Sequence, residues 1–167
     1  MNNFIDKSFV TKNSQETKKL GFNFAKELKR GDVVCLYGDL GSGKTTFTQG
    51  LAQGLGVKEK IISPTFIIIR CYELQIQNSK LKTQNYNLKL KSLERFYHTD
   101  LYRINNGKDI RGLGLEEIVN NPENIVVIEW AEKLKDLLPK KRIDIKFYYN
   151  PPAGGESARE ITFSLTT

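Results

Sequence analysis

The sequence predicts an α/β fold, a mostly parallel sheet flanked by helices and extended by antiparallel strands, on three observations. A run of β-branched and apolar residues, Val33 to Tyr37, leads at once into a glycine-rich turn and then into helical periodicity from Thr45 to Leu55. A second apolar run, Ile125 to Ile128, ends in Glu129-Trp130. Neither run alternates with polar residues, as expected of strands buried on both faces of a parallel sheet. Two late runs, Ile143 to Tyr149 and Glu160 to Leu165, straddle Pro151, Pro152, Gly154 and Gly155 and read as a terminal antiparallel hairpin.

Taken in order, the elements begin with a helix over Ser14 to Lys29. Leu20, Phe24 and Leu28 recur every fourth position there, with Ala25 beside them, Ser14 as the expected N-cap and the end near Gly31. Val33 to Tyr37 is the first strand, and the helix from Thr45 to Leu55 closes on Gly54 or Gly56. Ser63-Pro64-Thr65 breaks the chain before two further strand-like runs, Phe66 to Tyr72 and Phe96 to Asp100. Between them lies a lysine-rich, Gln/Asn-rich segment, 74–95, whose alternation at Tyr86, Leu88 and Leu90 predicts a hairpin-like insertion. Gly107 to Gly114 reads as loop and Leu115 to Val119 as a short helix. No internal repeat is visible, and residues 1–167 read as one domain, long enough to bury about two-thirds of the unfolded surface without disulfide or structural metal.

Composition narrows the chemistry. Two cysteines, Cys35 and Cys71, and one histidine, His98, exclude a zinc site of the Cys/His type and leave little for redox work. Met1 to Val10 lacks the apolar stretch of a signal peptide, and no run approaches a membrane span, so a cytoplasmic location is expected. The net charge of +7 admits an RNA partner, an acidic protein partner or a phosphate-rich ligand. Segment 74–95 alone supplies +4 of it, from Lys80, Lys82, Lys89, Lys91 and Arg95 against Glu94.

Gly38-Asp39-Leu40-Gly41-Ser42-Gly43-Lys44-Thr45 fits the phosphate-binding pattern G-x-x-x-x-G-K-[ST] and makes the expected fold P-loop NTPase-like. Glycines let backbone N–H groups turn inward around phosphate oxygens, Lys44 reaches the β and γ phosphates, and the Thr45 hydroxyl suits Mg²⁺. The helix N-terminus adds partial positive charge. Such a site also needs a carboxylate where a neighbouring buried strand opens toward the phosphates. Glu129 has the position of a Walker B acid, with glutamate in place of aspartate, and Asp100 ends a less apolar run. Either suits Mg²⁺, directly or through water, or the attacking water. With Lys44 they form the candidate catalytic set.

His98 lies beside Asp100, but phosphoryl transfer depends on positioning and charge stabilisation, so a hydrogen-bonding role is expected of it rather than general-base work. Arg70 and Arg103 are candidates for transition-state charge stabilisation, against the commoner role of arginine as a surface or ion-pairing residue. Thr65 is a candidate γ-phosphate sensor, and a capped turn explains Ser63-Pro64-Thr65 equally well.

Five motifs in order, GDLGSGKTT (Gly38 to Thr46), SPTF (Ser63 to Phe66), HTDLYR (His98 to Arg103), GLEE (Gly114 to Glu117) and IEW (Ile128 to Trp130), resemble the TsaE (YjeE) family. That resemblance covers most of the chain. It implies the ATPase of bacterial threonylcarbamoyladenosine synthesis, the modification of the adenosine beside the anticodon in tRNAs that read A-starting codons. It also implies an ATP–Mg²⁺ site built from Gly38, Asp39, Leu40, Gly41, Ser42, Gly43, Lys44, Thr45 and Thr46. Thr45 and Glu129 would be on the metal, Asp100 essential nearby, and Ser14 and Gly155 at the adenine. The implied partners are a threonylcarbamoyl transferase and its paralogous partner subunit, with direct contact to tRNA left open and no membrane involved. The 74–95 segment departs from the family by its length and its lysines.

The residues by themselves admit other readings. A small-molecule P-loop kinase fits the element order, but Arg30, Arg70, Arg95, Arg103, Arg111, Arg142 and Arg159 do not cluster as a lid would. A GTPase lacks its Asn-Lys-x-Asp base-reading motif here. An RNA-binding module using the basic insertion, with Tyr86 and Tyr97 for stacking, leaves the phosphate loop unexplained.

Overall fold

The computed structural model describes residues 3–74, 94–104, 110, 112–149 and 158–167. Among these, seven strands form one sheet: β1 (Lys7–Thr11), β2 (Val33–Tyr37), β3 (Ile69–Leu74), β4 (Glu94–Asp100), β5 (Asn124–Glu129), β6 (Arg142–Tyr149) and β7 (Arg159–Thr166). The helices are α1 (Ser14–Phe24), α2 (Lys44–Gly54) and α3 (Leu115–Asn120), with 3-10 segments at Ala25–Glu27 and Ala131–Leu137. The strand order is β1-β7-β6-β2-β5-β4-β3. Its middle, β6-β2-β5-β4, is parallel throughout. Antiparallel strands extend both edges, β3 against β4 on one side and β7 and β1 beyond β6 on the other. This is the expected parallel core with antiparallel additions.

Each face of the sheet has its own core. On one, α1 and α2 bury Phe24, Phe47 and Leu51 against Ile145, Phe147, Ile161 and Phe163. The Phe47 ring lies 5.6 Å from that of Phe147 and 6.0 Å from that of Phe163, spacings at which aromatic rings add to plain area burial. On the other, α3 and the 131–137 segment cover Val33, Cys35, Val126 and Ile128 with Leu115 and Leu134. The chain therefore leaves β2 toward one face, through α2, and β5 toward the opposite face. A crevice opens beyond the carboxyl ends of these neighbours, the place where open α/β sheets bind ligands.

Contact between α1 and α2 is backbone-close. A Cβ on Gly21 would stand 2.2 Å from the Phe47 carbonyl oxygen, and one on Gly50 only 1.9 Å from that of Lys18. Glycine is the residue that lets the two helices meet there.

Several boundaries differ from the sequence expectation, each for a local reason. The N-cap of α1 is Asn13, not Ser14: its side chain accepts the Glu16 N–H at 2.9 Å, while Glu16 Oε2 reaches back to the Lys12 N–H at 2.8 Å. Glutamate three residues after Asn13 makes this reciprocal pairing possible, and Thr17 three residues after Ser14 does not. The helix tightens into a 3-10 turn at Ala25–Glu27, short of Lys29. Strand β3 starts at Ile69 instead of Phe66, because the Ile67 N–H folds back onto the Pro64 carbonyl at 2.9 Å and Ile68 takes φ 66°. Strand β1 was not expected at all. An edge strand with only Thr11 buried, it has too little apolar alternation to show. Leu74 pairs with Glu94, so β3 and β4 are antiparallel neighbours, and residues 75–93 of the expected insertion lie outside the described residues. The alternation at Tyr86, Leu88 and Leu90, most of the 107–114 loop and the Pro151 to Gly155 turn lie outside the described residues.

Candidate functional site

The loop between β2 and α2 curls because its glycines adopt conformations closed to other residues. Gly38 has φ 137°, and a Cβ there would stand 2.5 Å from the Phe147 carbonyl oxygen. Gly43, the N-cap of α2, has φ 105°. The Thr17 methyl of α1 lies 3.6 Å from the place a Gly43 Cβ would take, so the first helix abuts the loop. Lys44, only 5% exposed, donates from Nζ to the carbonyl oxygens of Gly38 at 2.5 Å and Asp39 at 2.8 Å. Burial pushes its ammonium below the ordinary lysine range, against the opposing pull of Glu129, Glu132, Asp100 and Asp39.

Thr45 turns the other way. Its Oγ1 donates to Glu129 Oε2 at 2.8 Å. Thr48, one turn further along α2, approaches Glu129 Oε1 at 3.5 Å, and His98 Nε2 meets the same oxygen at 2.8 Å. Glu129 is 2% exposed, so Thr45 and His98 replace the water its carboxylate has lost, while the Thr48 hydroxyl donates to the Lys44 carbonyl at 3.0 Å. Register brings the second acid alongside, since Asp100 pairs with Glu129 across β4 and β5. Asp100 Oδ2 accepts from Thr65 Oγ1 at 2.6 Å and from Ser63 Oγ, and Oδ1 accepts the Tyr102 N–H at 2.9 Å. The Asp100 N–H completes the tie by donating to the Ile68 carbonyl at 2.9 Å. The loop from Ser63 to Ile68 is thereby stapled to the end of β4.

These groups surround a cleft of about 270 Å³ whose lining includes Leu40, Gly41, Gly43, Lys44, Thr45 and Thr46 from the loop and helix, with Thr65, Asp100 and Glu129 opposite. Its outer wall is aromatic. Tyr102 and Trp130 pack with ring centroids 5.2 Å apart and planes inclined at 47°, and the Lys44 ammonium lies 4.0 Å from the Trp130 ring.

The first hydroxyl of the phosphate-loop helix is thus bound to a buried strand-end carboxylate. The family model described as threonylcarbamoyl adenosine biosynthesis protein TsaE matches residues 11–160. The chain belongs to the TsaE family. It is 37% identical over 154 residues to the tRNA threonylcarbamoyladenosine biosynthesis protein TsaE of Bacillus subtilis, covering 92% of this chain and 82% of that one. With the TsaE of Rickettsia felis it shares 38% over 137 residues, 81% of this chain and 69% of the relative. The crystal structure of Bacillus subtilis YdiB superposes with a TM-score of 0.69 at 33% identity, covering 96% of this chain and 86% of the other.

In this TsaE-family chain the fold brings together Lys44, Thr45, Thr46, Asp100 and Glu129 with the glycine loop. Ser42 is buried behind the loop and Asp39 is exposed, contributing its carbonyl to Lys44. Ser14 stands exposed on the first turn of α1 and does not line the cleft, and Gly155 lies outside the described residues. Arg103 lies 4.1 Å over the Phe66 ring, and neither it nor Arg70 lines the cleft. No site role is expected of Thr48, Tyr102 or Arg159 from the sequence. Thr48 had a signal, a hydroxyl one helical turn after Thr45. Arg159, whose side chain runs beside Gly43, had none, being brought there only by the pairing of β7.

Proposed function

We propose that this TsaE-family chain is a P-loop ATPase that binds ATP with Mg²⁺ and hydrolyses it in the service of threonylcarbamoyladenosine formation on tRNA, working with a threonylcarbamoyl transferase and its paralogous partner subunit. The observation that carries the reading is the 2.8 Å hydrogen bond from Thr45 Oγ1 to the buried Glu129 carboxylate at the N-terminus of α2. Hydroxyl and carboxylate oxygens are the hard donors Mg²⁺ prefers, and the ion commonly takes only one or two protein ligands and keeps its waters. The residues therefore fit the group: Thr45 and Glu129 would hold it, and Lys44 with the loop N–H groups would hold the phosphates.

When bound, Mg²⁺ neutralises charge on the phosphoryl oxygens. Lys44 exchanges two neutral carbonyl acceptors for anionic oxygens, which favours its charged form and offsets the effect of burial. Asp100 is oriented by Thr65, Ser63 and the Tyr102 N–H, and so is fixed to hold an attacking water. Neither Arg70 nor Arg103 lines the cleft, which supports slow turnover alone and stimulation by a partner.

The test is ATP turnover by the purified chain with and without the transferase heterodimer and tRNA. The expected result is slow hydrolysis alone, faster hydrolysis in the complex, and loss of both in Lys44→Ala. Unchanged turnover in Lys44→Ala overturns the reading, and rapid phosphorylation of a small molecule by the isolated chain would replace it with a kinase.

A further inference from the structure

His98 is buried to 0% exposure on the sheet face that carries the two acids, and the ATPase reading as stated gives it nothing to do. We propose that His98 is a positioning residue for the Mg²⁺ site, its Nε2–H fixing Glu129 Oε1 so that Oε2 stays aimed at Thr45. The inference rests on the ATP–Mg²⁺ reading of the cleft.

Strand register explains how the contact arises. His98 pairs with Val127 and Asp100 with Glu129, so His98 sits one rung below Glu129 on the diagonal of neighbouring parallel strands, and a ring has the reach for it. An ionised carboxylate only accepts, so at 2.8 Å the imidazole nitrogen must be the donor. The two oxygens of Glu129 are then divided between His98 and Thr45, with Thr48 at a weaker 3.5 Å on the His98 side. A carboxylate held at one oxygen only is free to rotate about its last torsion, which is broad for glutamate. Held at both, it is not.

The second ring nitrogen sharpens the assignment. Nδ1 is buried and has no hydrogen-bond partner among the described residues. A histidine kept for a two-ended network would use both nitrogens. Here one atom is used, and a side chain presenting a donor at the reach of Nε2 should replace it. Glutamine does so, whereas the asparagine amide reaches only as far as Nδ1 and falls short of Glu129. Outer-shell partners of metal ligands are worth about 10- to 100-fold in metal affinity when removed.

The experiment is calorimetric titration of the whole chain with ATP at stepped Mg²⁺ concentrations, for wild type, His98→Gln, His98→Asn and His98→Leu. The Mg²⁺ concentration giving half of the tightening should rise about tenfold in His98→Asn and His98→Leu and stay close to wild type in His98→Gln, while ATP binding in chelator is the same in all four. Lost ring packing would affect the Gln and Asn variants alike, so their separation cannot come from destabilisation alone. Equal Mg²⁺ dependence in those two overturns the proposal. A second readout needs no variant: because the chain has one histidine, its imidazole ¹⁵N shifts report a single ring. A proton on Nε2 is expected, and a ring protonated at Nδ1 alone overturns the assignment. Wild-type protein whose ATP binding ignores Mg²⁺ would sink the ATP–Mg²⁺ reading as well. Normal wild-type dependence with matching variants sinks the positioning role alone.

Discussion

Cys35 and Cys71 carry the same thiol into opposite surroundings. Cys71 is exposed on the edge strand β3, whereas Cys35 lies at the centre of β2, where burial first and the Asp144 carboxylate second push its thiol from 9.0 up to about 12. In the folded chain Cys35 keeps its proton where the unfolded chain has lost it. Stability is therefore expected to fall as pH rises from about 9 to about 12. Tyr37, raised mainly by burial, adds a loss of the same sign above its ordinary range. Urea denaturation at stepped pH checks this, with Cys35→Ala expected to flatten the slope by the Cys35 share. A slope identical in the variant would show that Cys35 is not its source. The site residues divide in a similar way between local and non-local causes. Lys44, Thr45 and Glu129 were legible because each occupies a fixed place relative to a glycine loop or a strand end. What Asp100 touches was not, since Ser63 and Thr65 reach it only through the way the 63–68 loop folds back along β4.

At the level of elements, the two helices on one face behave as a unit. Because a Cβ on Gly50 would stand 1.9 Å from the Lys18 carbonyl oxygen, Gly50→Ala should force α1 and α2 apart and cost about 2 kcal/mol or more, although alanine is the better helix former. Denaturant midpoints measure this, and a variant as stable as wild type would show that the helices have room to shift. Since α2 begins at Lys44 and Thr45, the same variant should also weaken nucleotide binding. The uninterrupted apolar runs and the helical period beside the glycine loop locate their elements to within a residue or two: β2 fully, α2 and β5 nearly so. The cap of α1 was readable too, in the Asn13 to Glu16 spacing, but Ser14 is an equally good capping type and took its place. Strand β1 was not readable. Its partner β7 lies at the far end of the chain, and an edge strand with only Thr11 buried leaves no periodic trace.

The whole molecule is arranged around one asymmetry. Chain segments leave β2 and β5 toward opposite faces, and each of the two cores supports one wall of the crevice, α2 with the glycine loop on one side and the 131–137 segment behind Trp130 on the other. Sequence pattern predicted the glycine loop with α2 and the end of β5 at Glu129, but not the 131–137 segment; that the two walls face each other follows from the β2–β5 pairing, a long-range fact. One outcome is optical. The chain has a single tryptophan, and the fold sets it on the cleft wall between two ammonium groups, Lys44 4.0 Å and Lys133 5.8 Å from its ring. All indole emission therefore originates at the cleft. An anionic ligand that draws Lys44 off the ring alters the field on the excited indole, so the emission should shift saturably with ATP and stay still in Lys44→Ala, and a flat titration where calorimetry registers binding would show that Lys44 never leaves the ring. The protein thus carries an unlabelled gauge of its own occupancy, usable in mixtures wherever every other component lacks tryptophan.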